Sequence, residues 1–388
     1  MPKIHSFQFG NHTCNKISGT GRCSSTVIIQ ERFSPSVEKL LPGRAVLIVC
    51  DENSHSLIRE QALFQNHAVL VLPQGEKNKN WPAVESILRT AGEKGLGRDG
   101  LFIGFGGGVV CDCTAFAASI YMRGASLALI PTTLLCMVDA SLGGKAGFDL
   151  DGLKNLAGSF YPAETILVAA EALKTLPRQE WKSGMAELIK LAVLDPGFFK
   201  TLQQPGIAEL KNWVSGPESA ADSPPRESGL LFSEQILPLI EKAILVKGRM
   251  VEKDFRETDD SGGRALLNLG HSFGHALESA LGPGTWSHGE AVTWGIARAC
   301  ELGQGLGITP PDRAKLITQT LSDWGFKIAV NASGSTAKLG ANFKAALFSD
   351  KKKKNGKLRF VVPDTETAVL IEQNNNVTQY LDSLCAEL

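Results

Sequence analysis

Short apolar runs alternate with helical patterns through the first half of the chain, and this alternation limits the folds that the chain can adopt. Residues 45–50 and 68–72 are continuous apolar runs, and each ends at polar or turn-forming residues. Runs that are apolar on both faces are typical of the buried strands of a parallel sheet. Three further runs have the same character: Leu101–Ile103, Leu127–Ile130 and Thr165–Val168. The pattern predicts a doubly wound α/β domain, an architecture that binds ligands at the carboxyl ends of its strands.

The pattern becomes helical near Pro177 and stays mainly helical to the end of the chain. The predicted helices are Gln179–Val193, Phe232–Lys253, Ala265–Leu281, Glu290–Leu306, Pro311–Trp324 and Thr336–Phe348, with two predicted strands at Leu358–Val362 and Ala368–Ile371. Residues 215–228 have the composition of a linker and are expected to be a mobile insertion. The sequence therefore predicts two domains, residues 1–176 and residues 177–388.

The composition argues against several classes of partner. The 388 residues contain 40 Lys and Arg and 40 Asp and Glu, so no net charge favours a nucleic acid or an anionic membrane surface. The apolar stretches are shorter than the roughly 20 residues that a membrane-spanning helix needs. The eight cysteines form no CxxC motif, and the first residues lack the apolar run of a signal peptide. We therefore expect a cytoplasmic protein with reduced thiols.

Three of the seven histidines fall within eighteen residues. His271 and His275 are four residues apart, so on a helix they share one face. His288 follows a Gly-Pro-Gly turn and is predicted to begin a second helix that folds back on the first. This spacing is typical of half of a metal site, with two imidazole ligands and one more imidazole for hydrogen bonding or acid/base work. Capping or surface histidines are the alternative interpretation of the pair alone.

A glycine-rich turn and two lysines indicate an anion site. Residues 104–110, Gly-Phe-Gly-Gly-Gly-Val-Val, follow a predicted strand and precede a helical pattern, so bare backbone can approach a pyrophosphate there. Val109 stands where a GxGxxG motif has its third glycine, and a tight structural turn is the alternative. Asp51 is placed to bind a ribose hydroxyl or to cap a helix. Lys145 and Lys154 lie near glycine-rich backbone and favour an anionic substrate.

Nine co-linear segments match one family. They are Gly106–Asp112, Tyr121–Gly124, Pro131–Asp139, Gly143–Lys145, Lys154–Leu156, Ala186–Lys190, Arg264–His275, His288–Val292 and Asp350–Lys352. With these segments the chain resembles the 3-dehydroquinate synthase family of the sugar phosphate cyclases over nearly its whole length. The resemblance implies an N-terminal Rossmann-like nucleotide-binding domain and a mainly helical C-terminal domain that binds metal and substrate.

The resemblance also implies the chemistry. Members of the family convert 3-deoxy-D-arabino-heptulosonate 7-phosphate into 3-dehydroquinate and phosphate, a step of the shikimate pathway. NAD first oxidises an alcohol of this phosphorylated keto acid and later returns the hydride, so NAD is unchanged overall. The metal is Zn²⁺, with Co²⁺ as an alternative. Glu187, His271 and His288 match the metal ligands, and His275 matches a histidine that faces the substrate.

Further residues match contacts of the family. Those implied to bind NAD are Asp51, Glu76, Lys79, Gly107, Gly108, Val109, Asp112, Thr132, Thr133, Asp139, Lys154, Thr175 and Gln179. Those implied to bind substrate or assist catalysis are Lys145, Asn155, Lys190, Lys247, Glu257, Arg264, Asn268, His275 and Lys351. Arg123 matches an arginine that holds phosphate in the neighbouring subunit's site, which implies a homodimer.

Several positions depart from the family pattern. Cys111 and Cys113 flank Asp112, and their extra bulk is expected to affect the helix that follows the glycine-rich turn. Ala146 alters the loop near Lys145. Residues 258–263 are an acidic insertion, so either Glu257 or Asp260 fills the family's glutamate position, and the spacing favours Glu257.

Two other functions remain open. A sibling cyclase acts on a different sugar phosphate, as 2-epi-5-epi-valiolone, 2-deoxy-scyllo-inosose or aminodehydroquinate synthases do. Where that substrate has no carboxylate, retention of Arg264, Asn268 and Lys351 argues against it. A polyol or glycerol-phosphate dehydrogenase has a similar two-domain architecture. Its substrate does not require the set of lysines 145, 190, 247 and 351.

Overall fold

The computed structural model describes residues 2–9, 23–34, 36–41, 43–59, 62–216, 229–259, 262–282, 284–330, 336–349 and 357–388. The chain forms two compact units. The first comprises Met1–Leu176 and Ser223–Arg256, and the second comprises Pro177–Asp222 and Glu257–Leu388.

The first unit is built on a seven-stranded sheet. Its strands are β1 (Lys3–Gln8), β2 (Ser24–Gln30), β3 (Val46–Asp51), β4 (Ala68–Leu72), β5 (Leu101–Gly106), β6 (Ser126–Pro131) and β9 (Thr165–Ala169), in the order β1-β2-β9-β6-β5-β3-β4. All neighbours are parallel except β1 and β2. The five strands predicted from apolar runs are present, and the predicted α/β fold is confirmed. Four strands were not predicted from the sequence: β1, β2 and the antiparallel pair β7 (Lys145–Leu150) and β8 (Leu153–Phe160).

The strand order reverses beside β3. The chain passes from β3 outward to β4, then returns to β5 on the other side of β3. Ligands of open α/β sheets bind at such a reversal, beyond the carboxyl ends of the strands. Asp51 ends β3 and the glycine-rich turn follows β5, so both lie at this point of the sheet.

The helices of the first unit are α1 (Glu52–Arg59), α2 (Trp81–Glu93), α3 (Gly108–Ile120) and the long α7 (Gly229–Lys253). The predicted domain boundary at residue 177 placed α7 in the second domain, whereas the structure groups it with the first unit. The reason is tertiary packing. A Cβ added at Gly248 would lie 2.0 Å from the Phe7 ring, so this glycine lets α7 pack tightly against β1.

The second unit is mainly helical, as predicted. Its helices are α4 (Arg178–Val193), α5 (Pro196–Thr201), α6 (Ala208–Ser215), α8 (His271–Leu281), α9 (His288–Gly305), α10 (Pro311–Asp323), α11 (Thr336–Ser349) and α12 (Asn375–Glu387), with the hairpin β10 (Arg359–Pro363) and β11 (Ala368–Glu372). The single helix predicted at Ala265–Leu281 is wrong in one respect. Gly270 adopts a left-handed conformation with φ 78° and separates a 3-10 helix, Gly263–Asn268, from α8.

Glycines let three helices of the second unit approach closely. A Cβ added at Gly295 of α9 would lie 2.0 Å from the carbonyl oxygen of Gly270, and one at Gly274 of α8 would lie 2.9 Å from the carbonyl oxygen of Ala291. A Cβ at Gly289 would lie 2.6 Å from Cα of Ser183 in α4. These distances are too short for any side chain, so the glycines fix how α4, α8 and α9 pack.

Two sequence expectations concern the setting of the protein. Within the described ranges, no helix is long and apolar enough to cross a membrane. Six of the described cysteines are free, at positions 50, 111, 113, 136, 300 and 385. Cys23 departs from the expectation of reduced thiols, because it is disulfide-bonded.

We predict that Gly295→Ala destabilises the second unit. The added methyl group would overlap the Gly270 carbonyl oxygen, and relief requires backbone movement that costs roughly 1–3 kcal/mol or more. Gly305→Ala is the matched control, because it lies on the same helix with no atom within 4 Å of the added Cβ. It should be neutral or stabilise by up to about 1 kcal/mol. Urea denaturation measures both variants, and equal midpoints would contradict the close-packing account.

Candidate metal and nucleotide sites

The three clustered histidines converge in the structure. His271 begins α8 and His275 lies one turn later on the same helix, within the helix predicted from Ala265. His288 begins α9, as the sequence predicted. Their ring centroids are 5.3 Å apart for the pair 271 and 275, 5.5 Å for 271 and 288, and 5.8 Å for 275 and 288. One possible ligand nitrogen from each histidine lies within 4.8 Å of the others. The cluster is therefore compact enough to hold an ion.

Helix α4 brings a carboxylate to the same place. Glu187 lies one turn after Ser183, the residue against which Gly289 packs, and its side chain is only 1% exposed. Oε1 of Glu187 lies 3.5 Å from Nε2 of His271 and 3.4 Å from Nε2 of His288. The structure thus brings together the three residues predicted as metal ligands.

The geometry around Glu187 fits a shared cation. Both oxygens of Glu187 are buried, and Oε2 contacts the ammonium group of Lys190, but among the described residues neither oxygen accepts a hydrogen bond of normal geometry. Leaving a buried carboxylate without such contacts is costly. Two ligand atoms, each about 2.1 Å from a tetrahedral zinc ion, lie about 3.4 Å apart. The oxygen-to-nitrogen distances match that spacing, and one carboxylate with two imidazoles is a set of donors that zinc accepts.

The remote nitrogens of the two imidazoles are also engaged. Nδ1 of His271 lies 3.2 Å from the carbonyl oxygen of Leu269, and Nδ1 of His288 lies 3.5 Å from Oε2 of Glu278. These contacts turn both Nε2 atoms toward Glu187. Burial lowers the pKa of His288, but the negative charges of Glu187 and Glu278 outweigh burial and raise its pKa to about 9.

Sequence reasoning missed Glu278. It lies on α8 seven residues after His271, so His271, His275 and Glu278 share one face of the helix. That spacing was visible in the sequence. A glutamate on a helix is normally interpreted as a solvated residue, however, and the signal was not recognised.

Several predicted substrate ligands lie in the second unit, and one of them contacts this cluster. Lys190 is 1% exposed and its ammonium group contacts Oε2 of Glu187. Asn268 donates from Nδ2 to Oε1 of Glu257 at 2.8 Å, and Arg264 is 2% exposed. Glu257 has a positive φ of 55°, which few residues other than glycine adopt.

Two residues predicted from the sequence lie outside the described residues. Lys351 is one of them, and Asp260, the alternative to Glu257, is the other. Most of the predicted insertion, residues 217–228, also lies outside them.

The glycine-rich turn opens α3 as predicted. Gly107 is the N-cap, so the backbone N–H groups of Gly108 and Val109 lie at the helix N-terminus, where an anion is favoured. A Cβ added at Gly106 would lie 2.7 Å from Val110, so only glycine fits this turn. Thr132 and Thr133 follow the neighbouring strand β6. The backbone N–H of Thr132 donates a hydrogen bond to the carbonyl oxygen of Gly106 at 3.0 Å.

Asp51 acts as a helix cap. Its Oδ1 accepts hydrogen bonds from the backbone N–H and the hydroxyl of Ser54 at 2.8 and 2.6 Å, at the start of α1. Asp51 therefore caps α1, which was one of its two predicted roles. It also lies at the carboxyl end of β3, where the ribose was predicted to bind.

A buried lysine joins several predicted residues. Nζ of Lys79 donates to Oδ2 of Asp112 and to Oδ1 of Asn155, each at 2.6 Å. Oδ1 of Asp149 accepts the backbone N–H of Asn155 at 2.7 Å, and the backbone N–H of Asp149 donates to the Lys79 carbonyl at 2.8 Å. Burial lowers the pKa of Lys79, but the carboxylate of Asp112 outweighs it and raises the pKa above its usual value.

A second lysine forms a similar pair. Lys247 of α7 is 4% exposed, and its ammonium group contacts the backbone oxygen and Oδ1 of Asp139. Asp139 lies in a one-turn π-helix, Cys136–Ala140, a deviation that is frequent at functional sites.

The remaining predicted ligands of the first unit lie at exposed positions. Lys145 begins β7, and Asn155 adopts a positive φ of 50° in β8. Arg123 has a positive φ of 71°, so it lies in a strained turn before Gly124. Other exposed predicted ligands are Glu76, Lys154, Thr175 and, in the second unit, Gln179.

The departures around Asp112 are accommodated inside the fold. Cys111 and Cys113 are buried, and Sγ of Cys111 lies 3.6 Å from the carbonyl oxygen of Gly106. Burial raises the pKa of Cys113 to about 12, so this thiol stays protonated. Ala146 is also buried, in β7.

We predict that Asp112→Asn destabilises the first unit. The change leaves the buried Lys79 ammonium without its carboxylate, a loss of roughly 1–3 kcal/mol. Glu85→Gln is the control, because it removes the acidic partner of Arg89 from an exposed pair and should leave stability nearly unchanged. Denaturant midpoints measure both, and an equal effect of the two substitutions would contradict the role of the buried pair.

Models of the family match most of the chain. The model described as 3-dehydroquinate synthase N-terminal matches residues 69–183, and the one described as 3-dehydroquinate synthase C-terminal matches residues 184–353. Among relatives, the 3-dehydroquinate synthase of Campylobacter concisus is 36% identical over 316 residues, 81% of this chain and 83% of that protein. That of Prochlorococcus marinus is 34% identical over 348 residues, 87% and 88% of the two chains.

Solved structures share the fold. A 2-deoxy-scyllo-inosose synthase complexed with carbaglucose-6-phosphate, NAD⁺ and Co²⁺ has a TM-score of 0.75 at 20% identity, with 100% of both chains covered. A 2-epi-5-epi-valiolone synthase from Streptomyces hygroscopicus with NAD⁺ and Zn²⁺ has a TM-score of 0.70 at 24% identity, covering 93% of this chain and 96% of that one. Together with the family models and relatives, the co-linear motifs lead to one conclusion: this chain belongs to the 3-dehydroquinate synthase family.

Proposed function

We propose that this chain is a 3-dehydroquinate synthase, an NAD- and metal-dependent lyase that converts 3-deoxy-D-arabino-heptulosonate 7-phosphate into 3-dehydroquinate and phosphate. The observation that carries the proposal is the buried Glu187 carboxylate, whose Oε1 faces Nε2 of both His271 and His288 at 3.5 and 3.4 Å. The identities of 34 and 36% to 3-dehydroquinate synthases over most of the chain support the choice of reaction.

In this proposal the metal ion is Zn²⁺, with Co²⁺ as an alternative. Glu187, His271 and His288 are its protein ligands. The three histidines are a second possible set of ligands, since their nitrogens also converge. We prefer the set with Glu187 because its buried Oε1 faces both imidazoles and lacks a hydrogen bond among the described residues, whereas Oε2 contacts Lys190. His275 is then left to contact substrate. When bound, the ion polarises substrate oxygens and NAD takes up and returns a hydride.

The first unit is the NAD-binding domain in this proposal. The backbone N–H groups at the start of α3 bind the pyrophosphate, and Asp51 binds a ribose hydroxyl through the oxygen that does not cap α1. Lys79 holds Asp112 and Asn155 in fixed positions through its two hydrogen bonds of 2.6 Å. Further NAD ligands are Glu76, Thr132, Thr133, Asp139, Lys154, Thr175 and, in the second unit, Gln179.

The charged residues bind the phosphorylated keto acid. In the first unit, Lys145, Lys247 and Asn155 contribute a cationic and hydrogen-bonding surface for the anion. In the second unit, Lys190, Arg264 and Asn268 do so, and Lys351 joins them. The hydrogen bond that Asn268 donates to Glu257 fixes the orientation of its side-chain amide. The amide oxygen of Asn268 is therefore held in one direction. Arg264 provides the planar donor fork that suits a carboxylate.

We also propose a homodimer in which Arg123 reaches the partner's phosphate site. Apolar side chains are unusually exposed around Arg123 and along β8: Ile120 43%, Met122 44%, Leu153 48%, Leu156 45% and Phe160 38%. Exposed apolar residues that cluster in this way mark interaction surfaces. Arg123 also has a positive φ, and a strained backbone of this kind is frequent at functional sites. A contact of Arg123 with the partner's site would explain this strain.

A cytoplasmic location completes the proposal. Six of the seven cysteines that the structure describes are free, which suits a reducing compartment.

The proposal is tested by release of inorganic phosphate from 3-deoxy-D-arabino-heptulosonate 7-phosphate. We expect turnover with catalytic amounts of NAD and no accumulation of NADH, because the hydride leaves and returns within one cycle. Sedoheptulose 7-phosphate and glucose 6-phosphate serve as substrates for the sibling cyclases. Faster turnover of either sugar would favour a sibling activity, and stoichiometric NADH would favour a dehydrogenase.

We predict that Glu187→Ala and His288→Ala each lose zinc and activity together, because each removes one of three protein ligands. His275→Ala should keep zinc while slowing turnover, since His275 contacts substrate in this account. Zinc content per chain and kcat are measured on the same preparations. Loss of zinc from His275→Ala with full zinc in Glu187→Ala would replace our ligand set with the three histidines.

We predict that Arg264→Ala selectively impairs the carboxylate-bearing substrate. The change leaves the substrate carboxylate without its bidentate partner in a desolvated site, a loss of roughly 2–5 kcal/mol in transition-state binding. Arg264→Lys keeps the charge but not the fork, so it should lose less. Comparison of kcat/KM with a carboxylate-free analogue measures the effect. Equal losses on both substrates would mean that Arg264 does not bind the carboxylate.

We predict that Arg123→Ala can be complemented within a mixed dimer. If Arg123 acts in the partner's site, a dimer of one Arg123→Ala chain and one Glu187→Ala chain contains one site with both residues intact. Mixing two inactive variants should then restore up to half of the wild-type activity per dimer. Absence of any recovery, with mixed dimers shown by mass spectrometry, would place Arg123 in its own chain's site or outside it.

A further inference from the structure

We propose that Glu278 is a positioning residue that fixes the orientation of His288 for ion binding. The inference rests on the metal site of the proposed function and adds a residue that neither the motif match nor the ligand set supplied. It is carried by one chain of contacts: Glu278 Oε2 to His288 Nδ1 at 3.5 Å, and His288 Nε2 to Glu187 Oε1 at 3.4 Å.

The two ligand histidines are held in different ways. Nδ1 of His271 faces the backbone oxygen of Leu269, a partner that stays in place as long as the turn before α8 exists. Nδ1 of His288 faces a side chain instead. A single substitution can therefore remove the orienting partner of His288, whereas the partner of His271 cannot be removed in this way.

Of the two ligand histidines, His288 has the greater need of a positioning partner because it is the more exposed. Its side chain is 34% exposed, against 12% for His271 and 1% for Glu187. It is also the first residue of α9, where a side chain has no preceding helical turn to pack against. Packing alone therefore restrains the ring of His288 less than that of His271.

The helix geometry places Glu278 for this task. His271, His275 and Glu278 follow one face of α8, and His288 begins α9, the helix that packs against α8. A carboxylate on the remote nitrogen fixes the tautomer, so that Nδ1 carries the proton and the lone pair of Nε2 points to the ion. The carboxylate also makes the imidazole more basic at Nε2, so the ring binds the metal ion more strongly. At 3.5 Å the contact is at the outer limit of a hydrogen bond, and we expect it to shorten when Nε2 is ligated.

The test measures zinc affinity without turnover. Metal-free wild type, Glu278→Ala and Glu278→Gln compete for zinc with a chromophoric chelator at fixed pH. We expect Glu278→Ala to bind zinc roughly 10- to 100-fold more weakly, the usual effect of removing such a partner. Glu278→Gln retains an acceptor oxygen without the charge, so its loss should be smaller. Glu209→Gln, at an exposed position of α6, removes the same charge elsewhere in the unit and should match wild type.

Thermal unfolding of the metal-free proteins separates positioning from a structural role. A positioning role predicts that Glu278→Ala unfolds at the wild-type temperature without metal and below it with zinc bound. Zinc affinity within twofold of wild type in both Glu278 variants would overturn the inference. Should Glu278→Ala fail to fold, the comparison of Glu278→Gln with Glu209→Gln decides alone. If wild type itself binds no zinc, the proposed metal site fails rather than the role of Glu278.

Discussion

The candidate metal site depends on the close approach of α4, α8 and α9. Gly289 touches Ser183 of α4 through bare backbone, and Gly295 touches Gly270 ahead of α8, at distances where a Cβ would overlap. Because the helices meet at these glycines, Glu187 and the first residues of α8 and α9 are brought to one point. Each ligand stands at or near a helix position that packing fixes, which is how a rigid scaffold keeps a site preorganised.

The electrostatics of the site follow from this packing. A carboxylate that is 1% exposed is expensive to bury, by several kcal/mol per ion. Lys190 offsets part of that cost, and a divalent cation shared with His271 and His288 would offset more. The first unit contains two similar ion pairs, each with a buried lysine: Lys79 with Asp112 and Lys247 with Asp139. Both units thus hold charged side chains in place by pairing them, which leaves them oriented for a charged ligand.

The sequence predicted those parts of the fold that depend on local pattern. Five strands of the parallel sheet follow from apolar runs, and the start of α9 follows from the turn before it. What was missed depends on tertiary contacts. The grouping of α7 with the first unit requires the contact of Gly248 with Phe7, and the break at Gly270 requires its contact with Gly295. Similarly, Glu278 has the spacing of a site residue, but only the folded position of His288 distinguishes it from a solvated glutamate.

The account is tested most directly by a crystal structure of the zinc-loaded protein with data collected on both sides of the zinc absorption edge. We expect one anomalous peak about 2.0–2.2 Å from a carboxylate oxygen of Glu187 and from Nε2 of His271 and His288, with His275 outside this distance. A peak coordinated by the three histidines with Glu187 remote, or no peak in this cluster, would contradict the ligand set on which the proposed function rests.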